Sequence, residues 1–471
     1  MFQRSSPLAG LSGIALLDSR LKPCGNDRNG INMTTTYQDY LSNFKPGAKP
    51  EADWLRDFRL KAYGKFQQIG LPTRKTEAWK YMNLEPVLKT AFAKPELFRS
   101  GRETIEKYFF SEEKTFGRIV SVNGSFVPEY SRHAELEKGV RFRNIHAVLN
   151  EMSLRSHFLE NLEQEENPFA LVNAFSFDQG FLLHVPAGTV LEKPIHVLMA
   201  SLADRDQTPV FYPRVLVVLE EGAQAELVLD HADLAEGNYL MNSVVQVHLG
   251  RNAKLSFLNL QRQREKAIHL TAHRIQLSEG SRFEGTSVTT GGASLRNDFQ
   301  ADFLAENASF SLDGLAILGG ASQVFQHVTV HHRTPRNESR QYFKNILSGQ
   351  SQAEFSSLVH VWRGAVKSDS VQLDRNLLLS DTSRVWSRPQ LKIDADDVKA
   401  NHGAATGQLQ ENELFYLQSR GLDKNSAKTI LTCGFAEELL NKIRPEWLRD
   451  AVEAPVREQI KKMVLVPGEG K

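Results

Sequence analysis

Apolar positions along this chain follow two periods. Between Pro50 and Gly70, Trp54, Leu55, Phe58, Ala62, Phe66 and Ile69 recur at intervals of three and four, the spacing of one helical face, and Gly70 with Pro72 close behind ends the run. From about Gly180 the period drops to two. Arg214 to Leu219, Val244 to Leu249 and Arg274 to Leu277 read as strands, and similar turns recur after them: Glu221-Gly222-Ala223, Arg251-Asn252-Ala253, Glu279-Gly280-Ser281 and Glu306-Asn307-Ala308. The steps from Gly222 to Asn252, Gly280 and Asn307 are 30, 28 and 27 residues. Glycine or asparagine at the same place in each step suits a corner with positive φ. A unit of this length cannot bury its own apolar face, so successive units must stack. The pattern predicts a β-solenoid rather than a closed barrel, with a polar insertion around His331 to Arg340 and strands resuming at Phe355 to Val361 and Asn376 to Leu379.

Near the C-terminus, Pro389 to Asp394 alternates as a short strand, Ala395 to Gly407 reads as a polar elbow carrying His402, and helical spacing then returns. A helix is predicted over Glu411 to Arg420, with acidic residues in its first turn and Gly421 at its end. A second runs from about Lys424 to Ile443, with Asp423 as N-cap and Ala427, Ile430, Leu431, Phe435, Leu439 and Leu440 as its apolar stripe. A third stretch, Glu446 to Leu465, is interrupted at Pro455. An open final coil exposes strand backbone, so these helices are expected to cover the solenoid's end. The division that follows is a tail or mis-assigned start over 1–32, a mostly helical N-terminal region over 33–179, the β core over 180–403 and a C-terminal helical region over 404–471.

A chain of 471 residues can bury a large core. A net charge of +1, with no long basic block, gives no footprint for nucleic acid or anionic lipid, and no apolar run approaches the roughly 20 residues that span a bilayer. Cys24 and Cys433 form no CxxC pair, which points to a reducing, cytoplasmic setting and away from a cysteine-only metal site. Arg4 followed by Leu8 to Leu17 faintly resembles an export signal but lacks a small-residue cleavage pattern, so a tail, or a start at Met33, is the expectation. No GxxxxGK[ST] run is present, so ATP hydrolysis by this chain is not expected.

The runs Leu391 to Lys399, His402-Gly403-Ala404 and Leu414 to Gly421, with Leu71 to Tyr81 near the other end, closely resemble the signature of the SufB/SufD family of the SUF iron–sulfur cluster assembly system. Asp396-Asp397-Val398-Lys399 with His402 resembles the SufD branch; the cysteine a SufB would carry a little upstream is missing. SufD sequences often have cysteine where Ala400 stands, so no thiolate can be required there. The resemblance implies a right-handed parallel β-helix flanked by N- and C-terminal helical regions. It also implies a non-catalytic scaffold that pairs with a SufB-like paralogue and docks the SufC ABC-type ATPase on the C-terminal helices. Asp397, Lys399 and His402 would then belong to the cluster-assembly or interface site, with His402 the candidate iron ligand, and Leu414, Phe415, Tyr416, Arg420 and Phe435 to the ATPase contact. No cofactor would be tightly bound by the chain alone; iron or a cluster would be transient, and ATP would enter only through SufC.

Other residues have competing readings. His327, His331 and His332 form a second histidine cluster, but neighbours on a strand face opposite ways, so His331 and His332 cannot share an ion and read as surface or interface residues. Trp79 and Tyr81 read as core packing. Asp394 and Asp396, two apart on a strand, would lie roughly 7 Å apart, within the range of an inverting glycosidase pair, and on a solenoid this admits a pectinase-type hydrolase or lyase as the alternative. The plainer reading, that Asp396 and Asp397 are turn carboxylates satisfying backbone donors, outranks that alternative.

Overall fold

The computed structural model describes residues 36–44, 51–95, 102–132, 139–145, 149, 151, 156–158 and 162–465, so the expectation for residues 1–32 lies outside the described residues. Two sheets of parallel strands face each other. The first stacks β1 (Gly117–Val122), β5 (Ile195–Ser201), β8 (Gln224–Asp233), β10 (Lys254–Gln261), β12 (Arg282–Thr289), β14 (Ser309–Leu318), β16 (Glu338–Leu347), β18 (Asp369–Leu378) and β20 (Lys399–Gly407). The second stacks β4 (Gln179–Val185), β7 (Pro213–Leu219), β9 (Tyr239–Leu249), β11 (Ala267–Leu277), β13 (Ser294–Phe303), β15 (Gln323–His332), β17 (Gln352–Val361) and β19 (Arg384–Ile393). Antiparallel β2 (Ser125–Phe126) and β3 (Arg141–Asn144) flank β1 and β4, and β6 (Val210–Phe211) lies beside β9. The chain alternates between sheets and advances one rung per circuit, which is the parallel solenoid that the repeat predicts.

The corner is built as the spacing implies. Gly222, Asn252, Gly280 and Asn307 all have positive φ, between 56° and 68°, and each of the first three donates its N–H to the next turn: Gly222 to Arg251 O, Asn252 to Glu279 O and Gly280 to Glu306 O, at 2.8 to 3.1 Å. The series continues through Arg336, Lys367 and Asp397, with φ of 59°, 59° and 53°. These residues escape a search for glycine or asparagine, so the repeat is longer than the sequence suggests. Arg336 also corrects the predicted polar insertion: it is an ordinary corner, and Glu338–Leu347 is a full strand, β16. The strand hid in the sequence because its lumen-facing row includes Gln341 and Asn345 among its apolar members, which blurs the period of two.

Alternate residues of facing strands fill the lumen. Phe257, Phe283 and Phe310 stack rung upon rung, the last two with ring centroids 5.4 Å apart; Phe343 continues on their sheet, and Phe299, Phe303 and Phe355 face them from the other. Burial of each such ring contributes about 2–3 kcal/mol. Towards the C-terminal rungs the lumen turns polar: Gln341, Ser357, Gln372, Asp374 and Asn376 are all buried and largely bonded to one another.

Helices cover the outer faces of both sheets. On the N-terminal side are α1 (Tyr37–Ser42), α2 (Asp53–Ile69), α3 (Glu85–Leu88), α4 (Arg102–Glu106) and α5 (Pro168–Ser176). The predicted face of α2 is buried at Leu55, Phe58, Ala62 and Phe66, and it packs with Phe169, Val172 and Phe175 against Leu216, Leu240 and Leu270 of the second sheet. The N-terminal region is not only helical, because β1, β2 and β3 lie within it and β1 extends the first sheet.

The C-terminal helices α6 (Glu411–Ser419), α7 (Lys424–Leu440) and α8 (Glu446–Leu465) correct three expectations. They do not close the end of the solenoid. Instead Leu439, Leu440, Leu448, Val452, Val456 and Ile460 pack on Leu258, Leu315, Ile317 and Ile346, across the flank of the first sheet. Helix α8 runs unbroken through Pro455, because burial of Val452, Val456 and Ile460 on either side outweighs one lost hydrogen bond. Ile430, placed on the buried stripe of α7, is 48 % exposed. The Asp423 cap forms as expected, accepting from the N–H groups of Asn425 and Ser426 at 2.9 and 3.0 Å.

Candidate functional site

With the helices on its flank, the last rung of the solenoid is left open. β19 pairs with β17 and β20 with β18, and neither has a further sheet neighbour among the described residues. His402 is therefore not in an elbow before a helix; it lies within β20. Its register partner is Gln372, and in-register parallel neighbours present side chains to the same face. Ala400, His402, Ala404 and Thr406 thus continue the row of Ser370, Gln372, Asp374 and Asn376, which lines the lumen. The earlier members are buried beneath the next rung, whereas His402 is exposed, with no strand stacked upon it among the described residues.

The three residues assigned to this site from the sequence do not converge. Lys399 is odd-numbered on the same strand, so it projects to the outer face, away from His402. Asp397 occupies the left-handed corner, where its carbonyl accepts from Lys367 N at 2.7 Å. Its backbone is what the fold uses. β19 ends at Ile393, so Asp394 and Asp396 are not paired on a strand as the hydrolase alternative requires. Asp394 is already engaged: His360 Nε2 donates to its Oδ2 at 2.8 Å, and this bond holds the carboxyl below the usual range.

The second histidine cluster is dispersed. His331 faces outward beside His360, with ring centroids 6.0 Å apart, while His332 faces the lumen and pairs with Ser339 Oγ at 2.9 Å. The opposite orientations agree with the period of two; the surface reading does not hold for His332, which is fully buried. His327 is buried as well, 3.1 Å from both Arg296 Nη1 and Glu354 Oε2. Among the described residues no group of three or more His, Cys, Asp or Glu side chains is placed to hold a metal ion.

The N-terminal signature reaches this end of the molecule. Trp79 is buried, with the Arg296 guanidinium 3.7 Å from its ring centroid, and Tyr81 stacks on Trp386 of β19 at 4.5 Å. Arg388 of β19 joins Glu77 to Glu354. The motif therefore clamps the N-terminal segment to the terminal rung.

Helix α6 has no buried residue. Phe415 and Tyr416 are 73 % and 56 % exposed, Leu414 is half-buried, and Arg420 lies 5.1 Å from the Tyr416 ring centroid. Ile430, on the neighbouring helix α7, is exposed too. Phe435 is separate from them: half-buried on α7, it packs on the first sheet with Lys344 Nζ 4.4 Å from its ring centroid. Lys344 is buried and pairs with Glu438, which also accepts from Tyr342 at 2.9 Å. The sequence carries no signal for this node, because lysine on a strand ordinarily reads as solvent-facing.

The described geometry is that of a parallel β-solenoid whose candidate chemistry lies on an open terminal rung and an exposed helix. The model of the SUF system FeS cluster assembly SufBD core domain matches residues 201–435, and that of the SufBD protein N-terminal region matches residues 32–197. The chain is 28 % identical to an iron–sulfur cluster assembly SufBD family protein of Synechocystis sp. over 425 residues, 87 % of this chain and 89 % of that protein. It is 28 % identical to the iron–sulfur cluster assembly protein SufD of Escherichia coli over 404 residues, 83 % and 90 % of the two chains. It is 29 % identical to a chloroplastic protein of Arabidopsis thaliana, ABCI7, over 393 residues, 82 % of each. The chain belongs to the SufBD family of the SUF iron–sulfur cluster assembly system. Among the described residues no helix is long and apolar enough to cross a membrane.

Proposed function

We propose that this chain is the SufD-like scaffold subunit of a SUF assembly complex, pairing with a SufB-like paralogue along the open rung and docking a SufC-type ATPase on α6. It is a non-catalytic subunit: iron or the nascent cluster is transient cargo, and ATP is hydrolysed by the partner. The observation that carries the reading is the terminal rung, where two edge strands beside His402 have no further sheet neighbour among the described residues. An uncovered edge invites pairing with another strand. A paralogue built as a solenoid would supply one, bringing His402 to the contact, where a neutral imidazole can ligate iron.

Copurification of the tagged chain from its own cells tests the pairing; recovery without a SufB-like chain or an ABC-type ATPase argues against it. His402→Ala tests the site. Because His402 is exposed and its loss leaves no buried partner unpaired, melting and partner recovery should be unchanged while reconstituted cluster content falls. Cluster content equal to that of the unsubstituted complex would remove His402 from the mechanism.

A further inference from the structure

Arg214 lies on β7 beneath α2 and α5, with only 5 % of its surface exposed. Its Nε donates to Gln246 Oε1 and its Nη1 to Asn173 Oδ1, both at 3.0 Å, and both acceptors are neutral. Phe177, Phe58 and Phe158 place their rings 5.3 to 6.0 Å from its guanidinium carbon. The neighbouring cations have their own carboxylates: Arg59 pairs with Glu51 at 2.9 Å, and Arg274 grips Glu165 with two bonds of 2.8 Å. Arg214 is left as a buried positive charge with no bonded counter-charge among the described residues. Burial pushes its pKa down to about 9, even though the field of Glu165 partly offsets the effect. Buried charges are ordinarily paired, because an ion taken out of water without a partner is strongly disfavoured.

A cavity of about 20 Å³ opens here between the N-terminal layer and the second sheet, lined by Arg214, Arg274, Gln246, Phe58, Leu162 and Ala170. That is room for at least one group the size of a water molecule or a halide ion. Glu165 borders it as well and takes two bonds from Arg274, which also meets Asp298 Oδ1 at 3.5 Å; with two guanidinium groups and one carboxylate on its lining, the excess charge facing the cavity is positive.

We propose that this cavity is a halide site, in which Arg214 holds a chloride ion that ties the N-terminal helices to the second sheet. The site is independent of the open rung and of cluster assembly.

Thermal unfolding of the full chain in sodium chloride and in sodium gluconate, at equal ionic strength, tests it. The midpoint should be higher in chloride by about 2 °C once the site is saturated. Arg214→Gln should abolish that difference. Crystals grown in sodium bromide should show an anomalous peak within hydrogen-bonding distance of the guanidinium. Equal melting of the unsubstituted chain in the two salts overturns the proposal, because the three aromatic faces and two amides would then suffice for Arg214. A crystal at saturating bromide with no such peak also overturns it. So does a bromide peak without the chloride-specific shift, which marks an adventitious ion only. Should Arg214→Gln fail to fold, the two measurements on the unsubstituted chain decide.

Discussion

Asp397 shows how one side chain can carry two readings. Its φ of 53° is unfavourable for an L-residue, and asparagine or glycine fills the same corner in earlier turns. If the backbone is all that matters, Asp397→Gly should stabilise the chain or leave it within about 1 kcal/mol, while Asp397→Val should destabilise it by more, measured by urea unfolding. Loss of cluster content in a normally stable Asp397→Gly complex would restore a role for the carboxylate. Two buried groups give opposite pH responses. Burial pushes the Asp374 carboxyl up to about 6, so the folded state binds more protons than the unfolded one as pH falls from about 7 to 4, and stability rises over that range. Asp374→Asn should therefore be the more stable form at pH 8, by about 1–3 kcal/mol, with an advantage that fades by pH 4. His332 behaves in the reverse sense. Burial lowers its pKa to about 4, the unfolded chain binds the extra proton, and stability is lost as pH falls from about 6.5 to 4. His332→Gln should flatten that part of the profile.

Between elements, the tightest constraint runs along the lumen. A Cβ added at Gly314 of β14 would lie 2.2 Å from the Phe343 ring of β16, which is fully buried and packed on Phe355 with ring centroids 4.6 Å apart. Gly314→Ala should cost about 1–3 kcal/mol by overpacking, read as a lower urea midpoint with unchanged slope. Helix α6 is the opposite case. Phe415 supports no packing, so Phe415→Asp should leave stability within about 0.5 kcal/mol and lower ATPase recovery in a pull-down. Undiminished recovery would place the ATPase contact elsewhere. Deleting the chain from Glu411 onward cannot ask the same question, because it also strips α7 and α8 from the first sheet and exposes Leu258, Leu315 and Ile317.

In the whole molecule, what the sequence determined by itself was whatever repeats or acts locally. The period of two, the Gly or Asn corners from Gly222 to Asn307, the amphipathic face of α2 and the Asp423 cap depend on neighbours a few residues away, or on a turn restated every 27 to 30 residues. The family motifs around His402 were legible for the same reason, as contiguous runs. What only the tertiary structure decided was direction. α7 carries an apolar stripe but no mark of which surface it meets, and it met the flank of a sheet, which left the rung of His402 open. Asp397, Lys399 and His402 are close in sequence but fall on a corner, an outer face and a lumen face, because each residue along a strand reverses direction and a corner resets the count. Lys344 and Arg214 look like surface cations in the sequence. Their burial follows from helices that arrive from 91 and 41 residues away to cover them, a distance over which local pattern carries no information.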